Sequence, residues 1–148
     1  MAAQSAPKTT PSRCRLLYAG DHGESLAVVK QVVAGRNDLV LWRAADIDTA
    51  LQLTRRARPD VMLVNVDLGA NGVGPLMKTL RANSATQATP ILALGSDAAP
   101  QAAAKSLEAG FFQYLVQPVE AAALSEALDY ALEFAAVEEA EQAFKDSR

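Results

Sequence analysis

The sequence is poor in the residues that build cross-links and metal centres. Its one cysteine, Cys14, has no second thiol to pair with. That excludes an internal disulfide and any zinc site built on a cysteine pair, and it suits a reducing cytoplasm. Its one histidine, His22, has no further nitrogen or sulfur ligand nearby. It reads as a solvent-exposed loop residue rather than a metal ligand or a phosphohistidine. No apolar run approaches the ~20 residues needed to cross a bilayer, so a soluble, cytoplasmic protein with no membrane partner is expected. Lys and Arg are scattered and the net charge is −3, which leaves no basic footprint for nucleic acid. Residues 1–12 are rich in Ala, Ser, Thr and Pro but lack the apolar middle of a secretory signal. They are expected to be a disordered tail or an expression remnant and are set aside from fold reasoning.

What is present is a chain of 148 residues, half of them hydrophobic, long enough to bury roughly two-thirds of its unfolded surface around one core. Its most informative stretch is Asp60-Val-Met-Leu-Val-Asn65-Val-Asp67, opened by Pro59 and closed by Gly69. Apolar, β-branched residues without polar alternation predict a strand buried on both faces, as in the middle of a parallel sheet. In open parallel sheets the chemistry lies outside the carboxyl ends of the strands, which puts Asn65 and Asp67 where a site belongs.

The other elements alternate around it. Arg15–Gly20 predicts a first strand, broken by the turn Gly20-Asp-His-Gly23. Leu26, Val29, Val32 and Val33 recur at helical spacing over Glu24–Ala34, ahead of Gly35. Leu39–Trp42 predicts a second strand, and Ile47, Leu51 and Thr54 share one face of a second helix that Pro59 stops. After the central strand a loop with Gly69, Asn71, Gly72 and Gly74 leads to Pro75, expected as the first residue of a short helix bearing Leu76, Met77 and Leu80. Pro90–Leu94 predicts strand four, Pro100–Leu107 a helix capped by Gly110, and Tyr114–Val116 strand five. A last helix is expected from about Ala121 to about Phe144, with Leu124, Leu128, Leu132 and Phe134 or Ala135 as its stripe. The expectation is an α/β doubly wound five-stranded parallel sheet with five helices, flavodoxin-like, with a long C-terminal helix. The boundaries read as a tail to residue 12, one domain over 13–133 and a helical extension over 134–148. That surplus reads as a solvated end, a dimerisation element or a connector to a partner.

Four strand ends in order are similar to the receiver domain of two-component response regulators, the CheY-like family, over roughly Arg15 to Leu132. Leu16-Leu-Tyr-Ala-Gly-Asp21 resembles the first strand ending in an acidic pair. Pro59 through Leu68 resembles the third strand ending in the phosphoacceptor aspartate. Pro90-Ile-Leu-Ala-Leu-Gly95-Ser96 resembles the fourth strand ending in a hydroxyl residue, and Ala109-Gly110-Phe-Phe-Gln-Tyr114-Leu-Val-Gln117-Pro118 resembles the Ala-Gly turn, switch aromatic and Lys-Pro of strand five. The resemblance implies a site in which a carboxylate attacks phosphorus, acids hold Mg²⁺, and a hydroxyl and a lysine take up the new charge.

Residue by residue the sequence departs from that pattern. Asn65, a neutral amide that cannot form an acyl phosphate, stands at the phosphoacceptor position. Gly20 replaces the first acid, leaving Asp21 as a weak metal candidate. Gly95 stands at the hydroxyl position with Ser96 one residue late, and Gln117 stands for the lysine. Tyr114 matches the switch aromatic, and Pro118 matches the proline, where a cis bond is expected. Asp21, Asn65 and Gln117 are expected to hydrogen-bond as a nearly neutral cluster. Asp67 reads as a turn residue, since two residues beyond Asn65 its side chain does not share that geometry.

These replacements predict a pseudo-receiver. It is not an enzyme, uses no metal or cofactor, and acts as a phosphorylation-independent protein-interaction module in bacterial two-component or phosphorelay signalling. Its expected partner is a histidine kinase, output domain or other signalling protein, bound through helix four, strand five and helix five. A homodimer through the last helix is a further candidate. The alternatives are a divergent response regulator phosphorylated at Asp67 or Asp21, and a small-ligand-binding α/β domain. Gly20-Asp-His-Gly23 lacks the spacing of a Gly-rich phosphate fingerprint.

Overall fold

The computed structural model describes residues 13–21, 23–68 and 72–146. The expected tail therefore lies outside the described residues, as do His22, Gly69 and Asn71. Five parallel strands, β1 (Cys14–Ala19), β2 (Leu39–Ala44), β3 (Val61–Asn65), β4 (Ile91–Gly95) and β5 (Gln113–Val116), form one sheet in the order β2-β1-β3-β4-β5. Five helices alternate with them: α1 (Glu24–Ala34), α2 (Ile47–Arg56), α3 (Val73–Ala82), α4 (Pro100–Ala109) and α5 (Ala121–Asp146). This is the doubly wound architecture expected from the sequence. Parallel neighbours need crossover helices, and those helices cover both faces of the sheet.

The burial of β3 and β4 follows from that covering. All five residues of each are buried, and their side chains alternate between two cores. Leu16, Tyr18, Leu63, Leu92 and Leu94 pack with Val29, Leu124 and Leu128 of α1 and α5. Leu17, Met62, Val64 and Ala93 pack with Ala50, Met77 and Leu80 of α2 and α3. Each helix therefore shows the sheet only a narrow stripe.

Two details differ from expectation. Helix α3 begins at Val73, after Gly72 at φ +101°, so Pro75 lies within its first turn rather than opening it. Proline is tolerated anywhere in that turn, because the first N–H groups have no helical partner. On α5 the buried stripe is Leu124, Ala127, Leu128 and Ala131, and Phe134 leaves it to pack against Phe112 at 5.4 Å between ring centroids. A helix that has run past the sheet has no wall left to bury a phenylalanine against.

Arg36, just past the end of α1, ties that end to the first half of α5. Its guanidinium donates to both Asp38 carboxylate oxygens at 2.9 Å, to Asp129 at 2.7 Å, and to the Ser125 carbonyl and hydroxyl.

Candidate functional site

Register places the candidate residues along one rim. Asn65 is the last residue of β3 and lies opposite Leu94, Gly95 ends β4 opposite Val116, and Gly20 and Gln117 follow β1 and β5 directly. Asp67 lies beyond the rim in a single 3₁₀ turn, Val66–Leu68, with its side chain exposed. Ser96 is exposed one residue past β4.

Each amide has its own partner. The Asn65 Oδ1 accepts from the Asp67 backbone N–H at 2.9 Å, closing the turn that leads out of β3. The Gln117 Nε2 donates to the Ser25 hydroxyl at 2.7 Å, reaching the buried first turn of α1. The expected mutual cluster of Asp21, Asn65 and Gln117 does not form. Short amide side chains find backbone and hydroxyl partners nearer than one another, and Asp21 contributes its backbone carbonyl, which accepts from the Tyr18 hydroxyl at 3.4 Å.

The two glycines are spoken for by tyrosines. A Cβ added to Gly20 would lie 2.5 Å from the Tyr18 hydroxyl and 2.6 Å from its Cζ. One added to Gly95 would lie 2.6 Å from the Tyr114 hydroxyl and 3.0 Å from a Val66 methyl. Real Cβ atoms do not approach this closely, so each phenol occupies the volume that a side chain at the glycine would need. Tyr18 is fully buried, and burial, then the nearby Asp21, pushes its hydroxyl above the ordinary value. Tyr114 lies inward over Gly95, its hydroxyl donating to the Asp97 carbonyl at 2.7 Å. Burial, followed by Asp97, raises its pKa as well. The Tyr18 side of this arrangement escaped the sequence reading. A period of two along β1 was the available signal, since residues 18 and 20 share a face of the strand.

Next to Tyr114 is a groove of about 430 Å³, lined among others by Asp67, Ser96, Asp97, Lys105 and Ser106. The Ser106 hydroxyl is, among the described residues, the buried side-chain oxygen without a hydrogen-bond partner. The Gln117–Pro118 peptide is cis.

A model of the response regulator receiver domain matches residues 16–129. The chain belongs to the response regulator receiver domain family. Receivers are signalling modules of two-component systems, and solved receivers share the architecture closely. The chemotaxis response regulator CheY4 of Vibrio cholerae is 24% identical, with a TM-score of 0.71 over 82% of this chain and 100% of that one. A putative response regulator from Chloroflexus aurantiacus is 26% identical, with a TM-score of 0.70 over 84% and 99%. The receiver domain of a sensor histidine kinase from Pseudomonas aeruginosa, which holds a magnesium ion in its active-site cleft, is 22% identical, with a TM-score of 0.69 over 82% and 99%. No curated protein matches at a significant level.

The Mg²⁺ that receivers use does not fit the residues present here. A hard divalent cation needs several oxygen ligands, carboxylates foremost. At this rim Gly20 supplies no side chain, the Tyr18 ring fills the space beside it, and the Asn65 oxygen is engaged by the turn. Among the described residues no cluster of three or more His, Cys, Asp or Glu could hold a metal. No helix among them is long and apolar enough to cross a membrane.

Proposed function

We propose that this receiver is a pseudo-receiver, a cytoplasmic, phosphorylation-independent protein-interaction module of bacterial two-component or phosphorelay signalling. The observation that carries the reading is the filling of Gly20 and Gly95 by Tyr18 and Tyr114. Asn65 by itself is one substitution away from a nucleophile. A tyrosine lodged where the first acid belongs, and another where the hydroxyl belongs, requires that neither side chain be present.

On this reading Gly95 lets Tyr114 keep an inward position that a larger side chain at 95 would contest, and a protein partner rather than a phosphoryl group acts on that choice. The working surface is α4, β5 and α5, where Leu107 and Val116 are exposed, and the partner is a histidine kinase, an output domain or another signalling protein. Incubation with acetyl phosphate and Mg²⁺ is expected to leave no acid-labile adduct on the parent or on Asn65→Asp, detected by intact-mass spectrometry. A stoichiometric adduct on the parent would overturn the reading; an adduct on Asn65→Asp alone would show that only the nucleophile had been lost.

The rival is a divergent response regulator phosphorylated at Asp67 or Asp21. Both are exposed, and Asp67 is the better supported of the two, because it shares the groove with Lys105, a cation able to meet a phosphoryl charge. Peptide mapping of a phosphoryl-donor or beryllofluoride reaction separates these readings. A small ligand in the same groove is the third, tested by a thermal-shift screen against nucleotides.

A further inference from the structure

The outer half of α5 is more helix than the domain uses. Its last buried residue is Ala131, yet it continues unbroken to Asp146. An isolated helix of that length is marginal in water. The family match ends at residue 129, so this segment lies beyond the surface common to receivers.

Its exposed apolar residues are ordered. Tyr130, Phe134 and Val137 are 56%, 41% and 52% exposed, spaced four and then three residues apart. Glu141 and Phe144 continue the same alternation. That is the spacing of a coiled-coil seam, in which every second member returns after seven residues. Beside the seam stand Glu126, Glu133 and Ala140 on one flank and Ala131, Glu138 and Lys145 on the other, so acids outnumber bases three to one. From residue 132 onward five acidic side chains, at 133, 138, 139, 141 and 146, stand against two basic ones, Lys145 and Arg148.

We propose that the outer half of α5 is a docking stripe for a basic amphipathic helix of a partner protein. The charges choose this occupant over a second copy. Parallel self-pairing would set Glu133 of one copy beside Glu138 of the other and bring the two Glu141 side chains together in the seam. Antiparallel pairing sets Glu133 beside Ala140 and Glu138 beside Ala131 and so gains no ion pair, while like charges across a parallel seam destabilise it. A helix with aliphatic residues at its seam and Lys or Arg beside it covers Tyr130, Phe134 and Val137 and neutralises the flanks.

The probe is a synthetic three-heptad peptide with Leu at the seam and Lys on both flanks, compared with a peptide of the same composition in scrambled order. Binding to the full chain is followed by fluorescence anisotropy. Saturable micromolar binding of the patterned peptide is expected, weakened at least about tenfold by Val137→Glu and, separately, by Glu133→Lys with Glu138→Lys. These positions are exposed, and circular dichroism checks that the variants keep their helix content. Sedimentation should find the chain monomeric. Equal binding of the scrambled peptide would overturn the proposal, as would no binding at all, or a dimer that Val137→Glu abolishes. None of these outcomes bears on phosphorylation, so this proposal and the pseudo-receiver reading stand or fall apart.

Discussion

Restoring the first acid of the receiver site, Gly20→Asp, is expected to damage the fold before it helps to build a metal site. The new Cβ would sit 2.5 Å from the Tyr18 hydroxyl, 2.6 Å from Cζ and 3.1 Å from Cε2. Tyr18 resists displacement, because its side chain is fully buried and packs with residues of α1 and α5 on that face of the sheet. Overpacking of this kind costs ~1–3 kcal/mol, and a carboxylate pressed against an aromatic ring adds ~1 kcal/mol of desolvation. The sum, ~2–4 kcal/mol, corresponds to a fall in Tm of roughly 6–12 °C for a domain of this size. Urea unfolding of parent and variant measures it directly. Combining Gly20→Asp with Tyr18→Leu, which removes the obstructing ring, should recover ~1–2 kcal/mol relative to the sum of the single changes. Two results would refute the reasoning: Gly20→Asp within about 0.5 kcal/mol of the parent, or a Gly20→Asp protein that millimolar Mg²⁺ stabilises without any change at Tyr18.

The contrasting substitution is Gly95→Ser, where the obstructing atom is the end of a partly exposed side chain. Tyr114 should move outward and lose its bond to the Asp97 carbonyl, at a cost of ~1–2 kcal/mol, and ¹⁹F NMR of 3-fluorotyrosine-labelled protein should show one of the three tyrosine signals shifting toward its solvent value. Arg36→Met should destabilise the chain by about 1 kcal/mol, since both aspartates are largely exposed and the pairs are screened. Arg36 holds the Asp38 carboxyl below its ordinary value of 3.8, chiefly by hydrogen bonding. A lowered folded-state pKa contributes stability that is present above the unfolded value and lost as pH falls through the folded one. The parent's advantage over Arg36→Met should therefore hold at neutral pH and shrink below about pH 4, as read by thermal unfolding across pH.

The order of strands and helices was legible in the sequence because each element carries its own period. Unbroken apolar runs at Val61–Val64 and Ile91–Leu94 can be buried on both faces only in a covered parallel sheet. The neutral residues at the four strand ends were legible for the same reason, since a strand end is a sequence position. Helix α3 was misplaced by two residues because proline is accepted throughout a first helical turn. The partners of Asn65 and Gln117 could not be read, because Ser25 lies 92 positions from Gln117 and only the crossover of α1 brings them together. Gly20 and Gly95 looked like missing groups; the tertiary structure decided that they are occupied volumes, with Tyr18 filling one and Tyr114 the other. Composition can say that a side chain is absent, but only packing in three dimensions says what has taken its place.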